Sequence, residues 1–149
     1  MSLTESIRAV VGTTFADELR ARSDDELVKL FELRPDLITP IPADISSLAV
    51  RATSAPSLIR AIESLNRWQL NLLEACAIFE GSFNVSEVVE LTNPAAKKSL
   101  EELWALGLLY RDGKKYRTPR AIRDILGENL AGLGPSVAKA IDFKALQTA

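Results

Sequence analysis

Histidine is absent from this 149-residue sequence, which also holds only one cysteine, one methionine, two tryptophans and two tyrosines. Without histidine the chain lacks the side chain that most often acts as a general base near neutral pH and most often ligates zinc. A single cysteine, Cys76, permits no intrachain disulfide, and with no histidine beside it a structural zinc site is not expected. Long apolar runs are missing as well. No stretch approaches the roughly 20 residues a membrane helix needs, and the N-terminus lacks the basic-then-apolar order of a secretory leader. A reducing cytoplasm and no membrane contact fit this pattern. The phosphate-cradling pattern G-x-x-x-x-G-K-[ST], the dinucleotide pattern G-x-G-x-x-G and the nucleophile elbow G-x-S-x-G do not occur either. The expectation is a non-enzymatic protein with no cofactor.

What is present describes a folded chain. Hydrophobic residues make up 47% and charged residues 26%, proportions of a globular protein and too apolar for a disordered one. The length suits one domain, or two small subdomains packed on each other.

Several helices announce their own ends. Ser23 and Glu26 form a capping box, Asp24 and Asp25 place negative charge at the positive end of the helix dipole, and Pro35 forces Arg34 out of helical geometry. Leu27, Leu30 and Phe31 give that helix its apolar stripe. Pro40 and Pro42 suggest an extended connector leading to a short helix over Ile45 to Arg51. Leu58, Ile62 and Leu65 recur at helical spacing, and Asn66 with Gln69 caps the next helix, which buries Leu72, Leu73, Cys76 and Phe79 and is expected to run to Gly81. Cys76 reads as a small core residue, since neither a histidine nor a neighbouring cation activates it.

A short helix follows in "NVSEVVELT". Then "NPAAKKSLEELWALG" has Asn93 as cap, Pro94 at the first helical position and Gly107 as stop. Leu100, Leu103 and Trp104 share one face, so Trp104 reads as a core anchor rather than a platform for stacking bases. A hairpin is expected next, with strands at Leu108 to Arg111 and Lys115 to Thr118 around an Asp-Gly turn. Thr118 and Pro119 open a helix carrying Ile122, Ile125 and Leu126 that Gly127 would close. The remainder is read as a loop around Gly132 to Pro135 and one weaker helix.

The sequence therefore predicts a mainly α fold: a helical N-terminal subdomain with its proline connector over residues 1–56, a winged helix-turn-helix over 57–127, and a C-terminal loop and weak helix over 128–149. In a winged helix the third helix enters the major groove and the hairpin wing touches the DNA backbone. Charge follows the same division. Before Asn66 ten acidic residues outnumber seven basic ones, whereas the stretch from Lys97 to Arg123 carries Lys97, Lys98, Arg111, Lys114, Lys115, Arg117, Arg120 and Arg123 against only Glu101, Glu102 and Asp112. These eight cations are the candidate nucleic-acid-binding residues, suited to neutralising phosphates. The outward side of the third helix offers Ala95, Lys98, Glu102 and Ala105, with no arginine, asparagine or glutamine in mid-helix to read base edges. Backbone contact is expected rather than sequence readout. The alternative is a winged helix serving protein interaction or dimerisation, its charged hairpin merely solvated.

The segments "SDDELVKLFELRPDLITPIPADISSLAVRATSAPSLIRAIESLNRWQLNLLEA" and "YRTPRAIRDILGENLAGLGPS" resemble the N-terminal region of large bacterial helicase-associated proteins, found mainly in high-GC Gram-positive bacteria. In that family the far C-terminal part is similar to the helicase C-terminal domain of XPB-type DNA-repair helicases. The resemblance covers about Phe15 to Ser136, and its most distinctive pieces are "LRPDL" at Leu33 to Leu37 and "GLGP" at Gly132 to Pro135. It implies a DNA-associated protein of which this chain is an N-terminal part, with a helicase-like domain downstream as one partner. It implies no ATPase within these residues.

Overall fold

The computed structural model describes residues 13–133. Eight helices and one hairpin follow in the order α1 (Phe15–Ala21), α2 (Asp24–Leu33), a 3₁₀ turn (Pro35–Ile38), α3 (Ile45–Ala52), α4 (Ala55–Glu63), α5 (Arg67–Cys76), α6 (Val85–Leu91), α7 (Ala96–Ala105), β1 (Tyr110–Asp112), β2 (Lys115–Arg117) and α8 (Arg120–Leu133). The small antiparallel sheet on a helical body is compatible with a winged helix.

Capping accounts for most of the helix starts. Reciprocal side-chain and backbone hydrogen bonds form at Ser23 with Glu26, and at Asn66 with Gln69, each satisfying two amides that the helix itself leaves open. Glu26 is held below its ordinary 4.5, chiefly by the Ser23 backbone N–H. Asp44, the cap of α3, is lowered by the Ser47 backbone N–H. A further box at Thr14 and Asp17 starts α1, a helix that the sequence reading did not anticipate.

Several expected boundaries move. α5 ends at Cys76 and not at Gly81, because the chain from Ala77 turns through short i→i−3 bonds, Ile78 N–H to the Ala75 carbonyl and Phe79 N–H to that of Cys76. α7 is regular from Ala96, after a turn through Pro94 and Ala95, and Asn93 Oδ1 accepts from the Ala95 N–H at this end as an N-cap side chain does. The hairpin strands are short, with β1 starting at Tyr110 rather than Leu108 and β2 ending at Arg117. α8 continues through Gly127 to Leu133, since a helical glycine costs only about 1 kcal/mol and does not by itself end a helix. It thereby takes in the first residues expected as C-terminal loop. The weaker helix and the rest of that loop, in residues 134–149, lie outside the described residues.

Two apolar clusters organise the body. One gathers Phe15, Leu19, Leu30, Leu37, Leu48, Ala52 and, from the hairpin, Tyr110. The other gathers Leu58, Leu72, Leu73, Cys76, Phe83, Leu100, Leu103, Leu108, Tyr116 and Ile122. Burial pushes the Cys76 thiol well up, so it stays protonated and inert as a core residue. α5, α6 and α7 pack on one another in the second cluster, while α1 packs against α3 and β1.

Buried arginine joins the clusters. Arg34, only 2% exposed, donates from Nη1 to the Leu106 carbonyl at 3.0 Å and from Nη2 to the Ala52 carbonyl at 2.8 Å and Ser57 Oγ at 2.7 Å. Ser57 in turn donates to Asp36 Oδ2 at 2.6 Å. Burial pulls the Arg34 guanidinium down to about 10, with Asp36 opposing, which leaves it charged at neutral pH. Gly107 is adjacent: its φ is +72°, and a Cβ there would sit 3.3 Å from Arg34 Nη1 and 3.3 Å from Leu30. Glycine is required on both counts.

Candidate nucleic-acid interface

The hairpin is short and tightly specified. Asp112 pairs with Lys115, so Gly113 and Lys114 form a two-residue loop. Gly113 has φ +65° and Lys114 does not have a positive φ, the sign pattern of a type II′ turn, whose twist matches that of the strands. Behind β2, Phe83 exchanges both backbone hydrogen bonds with Tyr116, at 2.8 and 3.0 Å. The Phe83 and Tyr116 rings stack at 6.5 Å between centroids. This side anchors β2 to the α5–α7 cluster.

The opposite side of the hairpin is anchored by the N-terminal helix. The Tyr110 ring meets Phe15 with centroids 5.7 Å apart. The Arg111 backbone N–H donates to Glu18 Oε2 at 2.7 Å, and the Thr13 N–H to Asp112 Oδ1 at 3.4 Å. Three consecutive residues of β1 are thus held by the start of the helical N-terminal part. The open edge of β1 ends on a carboxylate instead of solvent, which blunts an edge that would otherwise template further strand pairing.

Glu18 is the centre of this seam. At 6% exposure it accepts from Arg22 Nε at 2.6 Å, from Trp104 Nε1 at 2.8 Å and from the Arg111 amide. Arg22 also donates to the Trp104 carbonyl at 2.9 Å. The guanidiniums of Arg22 and Arg111 lie 4.1 and 3.9 Å from the Trp104 ring centroid, within the range of a cation–π contact. Trp104 is buried, as expected of a core anchor, but its position is the junction between α1, α7 and β1.

The eight candidate cations fall into two groups. Lys97 and Lys98 in the first turn of α7, Lys114 and Lys115 at the hairpin tip, and Arg120 at the start of α8 are all exposed. None of the five makes a hydrogen bond or ion pair within the described residues, although Glu101 and Glu102 sit one helical turn from Lys97 and Lys98. The other three are engaged. Arg111 stacks on Trp104. Arg117 pairs with Asp112 across the hairpin at 3.6 Å. Arg123 donates from Nη1 to the Glu80 carbonyl at 3.1 Å.

Sequence reasoning did not find the Glu18, Arg22 and Trp104 cluster. Its signal was the i,i+4 spacing of Glu18 and Arg22 behind the Thr14 and Asp17 box, a pattern that on a surface helix is only a weak ion pair. Among the described residues no group of histidine, cysteine and carboxylate side chains is placed to hold a metal, and no helix is long and apolar enough to cross a membrane. Compared with protein-family models, with curated proteins and with solved structures, the chain matches none.

Proposed function

We propose that this chain is a non-catalytic, cytoplasmic DNA-binding region built as a winged helix, contacting the phosphate backbone through the cations of α7, the hairpin and the start of α8. The observation that carries the reading is the set of five exposed cations without an internal partner, Lys97, Lys98, Lys114, Lys115 and Arg120. Lys97 and Lys98 occupy the first turn of α7, which holds no acidic residue, with Glu101 and Glu102 one turn further on. A cation there opposes the helix dipole, a cost that an anionic neighbour from outside the chain would offset. Arg111, Arg117 and Arg123 shape and brace the same surface. The resemblance to bacterial helicase-associated proteins extends the reading: the region would present DNA to a helicase-like domain elsewhere in a longer polypeptide.

A second reading, a protein-interaction or dimerisation module, is favoured by exposed apolar side chains on the helical N-terminal part. Ile41 is 82% and Val50 72% exposed, apolar surface that a partner protein would cover.

Anisotropy of a labelled duplex of arbitrary sequence, titrated with the protein from about 50 to 200 mM salt, separates the two. Five phosphate contacts give a slope of log K against log salt near −4.5, at about 0.9 per contact. Absence of binding at low salt, with a stable dimer on sizing, would favour the interaction module.

A further inference from the structure

We propose that Glu18 is a positioning residue for DNA binding, fixing the hairpin tip in register with α7 through the seam it builds; this rests on the DNA-binding reading above. Lys114 sits in the two-residue loop and Lys115 opens β2, at the tip of a hairpin whose strands have three residues each. So short a ribbon has little stability of its own, and its orientation is decided by what holds its two edges. β2 is fixed by Phe83. β1 is fixed by α1, and its only backbone N–H bonded to that helix is the Arg111 amide, through Glu18 Oε2. The same oxygen accepts from Trp104 Nε1, and Trp104 belongs to α7, the helix that carries Lys97 and Lys98. One carboxylate oxygen therefore ties the strand leading to Lys114 and Lys115 directly to the helix bearing the other lysine pair.

Alignment matters because phosphates are fixed in space along a duplex. Lysine pairs that keep a constant separation engage them together, whereas a hairpin free to tilt loses the second contact while the first is made. Arg22, the residue that caps the C-terminal end of α1, holds Glu18 in place with its side chain almost wholly buried. Arg111 closes over the Trp104 ring. An acidic residue beside a cationic surface would, by charge alone, weaken DNA binding. The geometry assigns Glu18 the opposite effect.

That reversal of sign gives the test. Duplex binding is measured for the full chain as wild type, Glu18→Ala, Glu18→Gln, Lys114→Ala/Lys115→Ala, and Glu18→Ala combined with the lysine pair, with circular dichroism confirming that each is folded. Glu18→Ala is expected to weaken binding by about 5- to 20-fold despite removing a negative charge. Glu18→Gln, which keeps an oxygen acceptor for the Trp104 and Arg111 N–H groups, should recover most of the affinity and covers the case in which the alanine variant does not fold. The lysine substitutions should cost several-fold less in the Glu18→Ala background than in wild type, which a general loss of stability would not produce. Binding of folded Glu18→Ala equal to or tighter than wild type, or strictly additive effects, would overturn the positioning role while leaving the DNA-binding reading intact. Failure of the wild type itself to bind duplex would remove both.

Discussion

Most of the described arginines make contacts within the fold, whereas Lys97, Lys98, Lys114 and Lys115, joined by Arg120, do not. The contrast separates the part of the molecule that holds itself together from the part that faces outward. Arg22 and Arg34 are buried and bonded to Glu18, backbone carbonyls and a serine hydroxyl. Arg51 binds the carbonyls of Leu37 and Pro40, and Arg117 and Arg123 reach Asp112 and Glu80. Lys97, Lys98, Lys114 and Lys115 are exposed and unengaged. The guanidinium fork can satisfy several carbonyls at once in a fixed plane, whereas an ammonium on a flexible stem stays strongly hydrated. The lesson is that a count of basic residues overstates the surface available to an anion, because the arginines within the count are largely structural.

The sharpest way to break the contrast is to remove a structural arginine. Arg34→Met should destabilise the fold by about 3 to 5 kcal/mol, since the Leu106 and Ala52 carbonyls and the Ser57 hydroxyl lose charge-assisted bonds in the interior. Urea unfolding followed by circular dichroism measures it. A change below about 1 kcal/mol would mean that water or a neighbouring group replaces the guanidinium without loss.

A smaller effect concerns the helix caps that frame α2. The folded pKa of Glu26 lies below its ordinary 4.5, so its contribution is fully present above that value and is lost as pH falls through the folded pKa. Wild type should therefore lose melting temperature on acidification below about pH 4.5. Glu26→Gln, which keeps an oxygen for the Ser23 N–H but cannot ionise, should show a shallower decline over the same window. Parallel curves for the two proteins would assign the acid sensitivity to other carboxylates, of which Asp44 is one, its pKa also being lowered.

The division between structural and outward-facing cations also explains what was legible in the sequence. Capping boxes at Ser23 and Asn66, the Asp-Gly turn and the glycine at 107 are local signals, and each fixed an element to within a few residues. Trp104 and the Leu100 stripe were readable as core from spacing alone. Glu18 and Arg34 were not, because their meaning depends on partners 93 and 72 residues away, the Arg111 amide and the Leu106 carbonyl. Nothing in "FADELRA" or "LRPDL" distinguishes a charge that will be buried from one that will be solvated; only the docking of α1 and α2 on the far end of α7 decides it. Likewise, the cluster of bases from Lys97 to Arg123 was visible, but its separation into a free group, the four lysines with Arg120, and the engaged Arg111, Arg117 and Arg123 depends on the tertiary structure. The missed helix α1 had a readable cap in Thr14 and Asp17, yet its seven residues are too few to show a clear apolar period.

The most direct test of the central claim compares two double variants in a salt titration of duplex binding, Lys114→Ala/Lys115→Ala against Arg117→Ala/Arg123→Ala. If the free lysines contact phosphate and the arginines brace the fold, the lysine variant keeps the wild-type melting temperature and flattens the salt slope by about 1.8. The arginine variant lowers the melting temperature and changes the slope much less. A lysine variant with the wild-type slope would contradict the account, as would an arginine variant that melts normally but loses the slope.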